Sequence, residues 1–288
     1  MADPISKFVR SLSLIRASFG VLAADKELLV LPLISGVVSL LVIGGFVSTL
    51  MGNPAFMHLA DQENPQLPAW FYGWLFVFYF VQYFVIIFFN TALVGAAIAR
   101  LSGGDPTVMS ALNLAAVRIV PILGYAAISA TVGVALRWIG EKFGFIGRLI
   151  EGSLGLAWTV ATFLVVPTLA AEGIGPLKAI ERSGQLLSET WGENIVGNAG
   201  IAVVTSLISM IFIFAGAAGV YGIQSGNEWG YALIGFSGII LIAIFLISAT
   251  LSGIYQAAVY YYALTGNPPA NFDAGLIRDS FARKEASA

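Results

Sequence analysis

Six stretches of this chain, 28–57, 69–99, 119–136, 152–171, 194–227 and 229–272, contain no Asp, Glu, Lys or Arg. Crossing about 30 Å of hydrocarbon takes roughly 20 apolar residues in a helix. Lipid offers no water to a free backbone amide, so a spanning segment is either a helix or part of a closed barrel. Runs of this length read as helices. The spacing predicts an all-α, polytopic membrane protein with six spans, at about 28–51, 69–99, 119–137, 153–171, 193–218 and 230–263. The second and sixth runs exceed a simple crossing, and their helices are expected to tilt or to project beyond the bilayer.

Composition excludes the main alternatives. The chain is 58% hydrophobic and 10% charged, where soluble domains carry about 25% charged residues. A formal net charge of −2 without a basic block argues against a nucleic-acid partner. Cysteine is absent, which removes disulfides, thiolate metal sites and cysteine nucleophiles. The single histidine, His58, falls in a polar loop and reads as a solvated side chain. There is no phosphate-cradling G-x-x-x-x-G-K-[ST], no H-E-x-x-H and no pair of in-span carboxylates. An enzyme needs a positioned acid, base or nucleophile, so no catalytic, cofactor or metal site is expected.

Basic residues set the expected orientation. With both termini in the cytoplasm, eleven of the fourteen Lys and Arg residues face inward, and the other three, Arg137, Lys142 and Arg148, share one outer loop at 137–151. The other outer loops, 52–67 and 222–228, have none. The tryptophans agree: Trp70, Trp74, Trp138, Trp191 and Trp229 lie near span ends, where an amphipathic ring is well solvated, and Trp158 is the exception. No small-residue cleavage site follows a short apolar core near the N-terminus, so the first run reads as a retained helix in the cytoplasmic membrane.

Between spans the chain repeats a theme. GGDPTVMSALNLAAVRI (103–119), GIGPLKAIERSGQLLSETW (173–191) and TGNPPANFDAGLIRDSF (265–281) each open on glycine, then proline, then a helical pattern. Glycine closes the incoming helix and proline suits the first position of the next. In the second stretch Leu177, Ile180, Gly184, Leu187 and Trp191 recur at helical steps, opposite Lys178, Glu181, Arg182 and Glu189. At the N-terminus Ile5, Phe8, Leu12, Ile15, Phe19 and Leu22 form an apolar stripe beside Lys7 and Arg10, a pattern suited to a helix lying on an inner leaflet. The pattern reads as one transmembrane domain, 1–264, built from three repeats (1–101, 105–172 and 176–264) of cytoplasmic surface helix, span and span. A cytoplasmic tail, 265–288, follows.

The segments ADKELLVLP (24–32), VVPTLAAEGIGPLKAIERS (165–183) and WGENIVGN (191–198) resemble an uncharacterised prokaryotic family of six-span integral membrane proteins, a domain of unknown function. The likeness covers essentially the whole chain. More distantly, the layout is similar to the membrane domain attached to some glycerophosphodiester phosphodiesterases. These 288 residues hold no such catalytic domain, so the likeness implies architecture and no activity.

Five polar positions stand out in or beside the spans: Gln82, Asn90, Glu172, Asn198 and Gln256. Polar groups in hydrocarbon sometimes mark a pathway and more often make interhelical hydrogen bonds worth roughly 1 kcal/mol. Glu172, at a helix end, reads as a solvated interface position able to pair with Lys178 or Arg182. Asp105 before Pro106 reads as an N-cap, Thr190 with Glu193 as a capping box, and Asp25, Lys26 and Glu27 as the start of span one or a grip on lipid headgroups. Ala157-x-x-x-Ala161, Ala215-x-x-x-Gly219 and Ala249-x-x-x-Gly253 predict close helix contacts, and Pro167 is placed to kink span four. Three functions fit: a non-enzymatic module facing membrane lipids or a membrane-protein partner, a small-solute or lipid transporter or channel, and, least favoured, an intramembrane lipid enzyme. Amides converging on one cavity would favour transport; dispersal over separate helices would favour the first.

Overall fold

The computed structural model describes residues 16–56, 68–190, 196–267 and 269, without the side chains of positions 189, 190 and 196–201. Among these residues there is no strand. A helix α1 runs through 16–24 and is followed by a short 3₁₀ turn, Lys26–Leu29. The remaining helices are α2 (Val30–Met51), α3 (Ala69–Leu101), α4 (Val108–Val117), α5 (Ile119–Lys142), α6 (Gly144–Ala161), α7 (Val165–Glu172), α8 (Pro176–Thr190), α9 (Val196–Gln224) and α10 (Trp229–Thr265). Six segments are long and apolar enough to cross a membrane: Lys26–Met51, Ala69–Leu101, Ile119–Lys142, Gly144–Glu172, Ala202–Gln224 and Trp229–Thr265. The chain divides into two compact units. One holds residues up to Pro32, Ala97–Pro106 and the chain from Ser188 onward; the other holds Leu33–Ala96 and Thr107–Leu187.

In the first unit α9 and α10 form a long antiparallel hairpin. Glycine permits the contact: a Cβ on Gly219 would meet the Gly230 carbonyl at 2.9 Å, and one on Gly230 would strike the Gly219 carbonyl. The expected close packing at Gly219 is therefore present; Gly253 is buried, and Ala157 and Ala161 of the third small-residue pair are exposed. Large apolar side chains cover the outside of the hairpin, among them Leu207, Ile211, Phe214, Ile239 and Phe245, each more than half exposed. At 37 residues and about 1.5 Å per residue, α10 is far longer than the hydrocarbon layer. Burial gathers in its C-terminal half, where Thr250, Ile254, Tyr255, Ala257, Val259 and Tyr260 are enclosed. In α1 the buried positions are Ser18, Val21 and Leu22, while Phe19 is 43% exposed. Of the expected N-terminal stripe, Leu22 is buried and Phe19 is exposed; residues 5–15 lie outside the described residues.

In the second unit aromatic rings join α2 to α3. Phe46 meets Trp74 and Phe78 edge-on at 5.4 and 5.3 Å, and the Trp74 indole donates to the Thr49 hydroxyl at 3.2 Å. The charged stretch 137–151, expected to be a loop, is almost wholly helical: α5 continues to Lys142 and α6 starts at Gly144. Two local interactions favour the longer helix. Arg137 Nε donates to Glu141 Oε1 four residues on, at 2.9 Å, and Lys142 Nζ sits 4.5 Å from the centre of the Trp138 ring. The reversal falls on Gly144, whose φ of +57° suits glycine alone. Gly147 then packs so close to the Ile139 carbonyl that a Cβ would collide with it.

The fourth span is broken at 162–164, between α6 and α7. Pro167 explains the position, since it has no N–H to offer the carbonyl four residues earlier and its ring crowds that turn. The break is closed from α8: the Ser183 hydroxyl donates to the Ala161 carbonyl at 2.8 Å and accepts the Leu164 N–H at 3.0 Å. Thr162 and Thr168 hydroxyls bond back to carbonyls of their own helices at 2.7 Å. This contact rotates α8 relative to the expected face. Ala179, Ser183, Leu186 and Leu187 are buried, while Leu177 is 72% exposed and Gly184 is exposed. Small Ala179 and Ser183 allow the close approach that bulky Leu177 would prevent.

The start of α8 is held just as closely. Gly173 closes α7 with φ +64°, and the Arg118 guanidinium lies over it where a Cβ would stand. Pro176 opens α8 with its ring against Gly124, which has no room for a Cβ. The glycine-then-proline reading holds here. At 103–107 it is corrected: Gly103 turns the chain at φ +88°, but the N-cap of α4 is Thr107, in a reciprocal capping box with Ser110, and Asp105 does not cap. Pro106 thus precedes the cap and does not occupy the first helical position.

Ser183→Ala leaves the Leu164 N–H and an Ala161 lone pair unmet in an apolar place, at a cost of about 1–3 kcal/mol. Gly184→Ala, next door, has an exposed position with nothing within 4 Å of a new Cβ and gains helix propensity of about 1 kcal/mol. Thermal unfolding of the purified protein is expected to move down for the first and level or up for the second. Equal shifts would show that the Ser183 bridge does not hold the break.

Candidate functional site

A wide-mouthed pocket of about 840 Å³ lies within the second unit, walled by α3, α5 and α6. Its lining includes Tyr79 and Tyr83 from α3, Arg137 and Glu141 from α5, and Arg148 and Glu151 from α6. Helix periodicity places each pair on one side of its helix, at spacings of three or four residues. Gly133, Gly140, Gly144, Gly152 and Gly155 form much of the remaining wall. They make the space: a Cβ on Gly152 meets nothing within 4 Å, and one on Gly155 only Leu136 at 4.0 Å. Interior helical glycine costs roughly 1 kcal/mol relative to alanine, so the open wall is bought with helix stability in α6.

The charges are unevenly used. Glu141 accepts from Arg137 Nε at 2.9 Å through one oxygen and from the Tyr72 hydroxyl at 3.4 Å through the other. The Tyr79 hydroxyl is in hydrogen-bonding reach of the same guanidinium. The rings of Tyr79 and Tyr83 stand 6.1 Å apart. Arg148 and Glu151 have no ion pair or hydrogen bond among the described residues. No group of three or more His, Cys, Asp or Glu suited to a metal occurs among the described residues.

None of the five polar positions singled out in the sequence lines this pocket. Gln82 and Asn90 are half-buried on α3; Gln82 Oε1 is enclosed without a hydrogen-bond partner among the described residues. Gln256 is half-buried on α10, and Asn198 lies in α9 with its side chain outside the described residues. Glu172 is at the end of α7 and pairs with Arg182 Nε at 3.4 Å, one of the two partners expected for it. Both groups are substantially exposed, and such pairs contribute about 0–1 kcal/mol. His58 and Glu193 lie outside the described residues, as does the side chain of Thr190. The pocket residues escaped the sequence reading because 137–151 looked like a charged loop. The signal was present in Arg137 with Glu141 at four residues, followed by Gly140, Gly144 and Gly147.

A second polar group occupies the first unit. Arg100 Nη1 pairs with Asp105 at 2.7 Å and Nη2 reaches the Ala24 carbonyl at 3.5 Å. Asp25 is buried, and its Oδ2 has no hydrogen-bond partner among the described residues. Loss of water raises the Asp25 pKa above the usual aspartate value, and the nearby Arg100 charge only partly offsets this.

The helices define a class: among the described residues, an all-helical, multi-pass membrane protein. A family model, that of a family of unknown function (DUF6159), matches residues 69–270. The chain belongs to that family. No curated protein matches it.

The Asp25 shift has a testable sign. Between the ordinary aspartate pKa and the raised folded value the native state binds more protons than the unfolded state, so stability falls as pH rises through that window and then levels. Asp25→Asn is expected to remove this fall and to be more stable than the parent at pH 7, as read by unfolding at a series of pH values. A parent-minus-variant difference that grows with pH would contradict burial as the dominant cause.

Proposed function

We propose that this protein is a non-enzymatic lipid-binding module of the cytoplasmic membrane, with both termini in the cytoplasm. The observation that carries the reading is the α3–α5–α6 pocket, with charged groups, tyrosines and a glycine wall at one end of apolar helices. Pockets of this size hold small ligands, and the surroundings of an apolar helix end supply amphipathic ones. The in-span amides are spread over α3, α9 and α10 and none lines the pocket, which favours this reading over a water-filled pathway. The transporter or channel alternative keeps one observation in its favour, the unpartnered Gln82 Oε1. The excess of Lys and Arg on the inner segments supports the orientation. The charged, half-buried α8 and the capped α4 support cytoplasmic surface helices in a three-unit repeat, the layout also suggested by the distant likeness to phosphodiesterase membrane domains.

Two measurements test this. Gly152→Leu fills the pocket at a position free of packing contacts, so the variant is expected to fold normally and to lose most of the lipid that co-purifies with the parent in native mass spectrometry. Unchanged retention would exclude the pocket as the lipid site. For orientation, Phe145→Cys in this cysteine-free chain is expected to react with an impermeant thiol reagent on intact cells. Reaction only after the membrane is opened would place the α5–α6 turn inside.

A further inference from the structure

The pocket contains one cation and one carboxylate more than its own pairing consumes. Arg137 donates from Nε to Glu141, and Glu141 is engaged on both oxygens. Arg148 and Glu151, three residues apart on α6 and both lining the pocket, pair neither with each other nor with any described residue. The Glu151 carboxylate rests on Gly140, where a Cβ would collide with it. Glycine at 140 therefore lets Glu151 sit against α5 beside the Arg137–Glu141 pair.

Building on the lipid-binding reading above, the geometry points to a zwitterionic phospholipid as the occupant, its phosphate against Arg148 and its ammonium against Glu151. A guanidinium offers a planar fork of donors suited to phosphate oxygens. A carboxylate accepts from, and attracts, a cationic amine. The four charged groups of the pocket sum to zero, so the site gives no net field favouring an anion. An anionic headgroup would engage Arg148 while enclosing Glu151 without a partner, which is the costly arrangement for a charge leaving water. A zwitterion meets both groups at once. The Tyr79 and Tyr83 rings and Leu136 provide apolar wall for the start of the acyl chains.

The test uses the full chain, purified and stripped of lipid, then offered phosphatidylethanolamine, phosphatidylcholine or phosphatidylglycerol and weighed intact. The parent is expected to retain both zwitterionic lipids over phosphatidylglycerol by about tenfold, the scale of one discriminating charge contact. Glu151→Gln leaves a net positive pocket and is expected to reverse that order. Arg148→Gln is expected to weaken the zwitterions, with Arg148→Lys partly restoring them at equal thermal stability. A parent that prefers phosphatidylglycerol, or a Glu151→Gln variant whose order is unchanged, would overturn the assignment. The two readings fail separately. Lipid retention unaffected by Gly152→Leu sinks the pocket itself; retention that Gly152→Leu abolishes but that shows no headgroup order sinks only the zwitterion.

Discussion

The interaction on which the second unit depends is the Ser183 hydroxyl spanning the break in the fourth span. An apolar environment offers no substitute for a lost backbone hydrogen bond, and Pro167 forces such a loss. At the break just before that proline, the Ser183 hydroxyl donates to the Ala161 carbonyl and accepts from the Leu164 N–H. That contact requires a helix to come close, which requires small residues on its inner face, which explains Ala179 and Ser183. The same approach requires Gly124 beneath Pro176 and Gly173 beneath Arg118. A charged helix opening on Gly-Ile-Gly-Pro between two apolar runs is thus the part that repairs a proline break, with Lys178, Glu181 and Arg182 left on its outer side.

The pocket rests on a related use of glycine at the other end of α6. Gly144 reverses the chain, Gly147 and Gly140 bring α5 and α6 together, and Gly152 and Gly155 then leave a wall without side chains. Close packing near the turn and open space beyond it come from one residue type at successive turns of the same helix. Of the four charges around that space, Arg137 and Glu141 form the one ion pair, and Arg148 and Glu151 are left to face the pocket. The unspent pair, Arg148 and Glu151, gives the pocket its chemical character.

The six spans were legible because hydrocarbon demands long uncharged runs, and the observed ends agree closely in α2, α3 and α10. The charged stretch 137–151 was not, because charge count alone does not distinguish a loop from a helix end stabilised by Arg137 with Glu141 and by Lys142 over Trp138. Asp105 misled because Asp-Pro resembles a cap, while Thr107 had a reciprocal partner in Ser110. The expected α8 face is met at Leu187 and missed at Leu177 and Gly184, because the Ser183 bridge turns Ala179, Ser183 and Leu186 inward at the helix break. Pairing Glu172 with Arg182 was legible from spacing. The pocket was not, since it arises where three helices meet and the sequence supplies only the glycine and charge spacings within each.

The proposed function requires that the α3–α5–α6 pocket hold a lipid and that the spans enclose no solute pathway. An experimental density map of the protein in a native-lipid nanodisc tests both at once. The account predicts a headgroup-sized density between Arg148 and Glu151, running on into acyl density past Tyr79 and Tyr83. A pocket occupied only by water, together with a hydrated channel reaching Gln82 and Asn90, would contradict it.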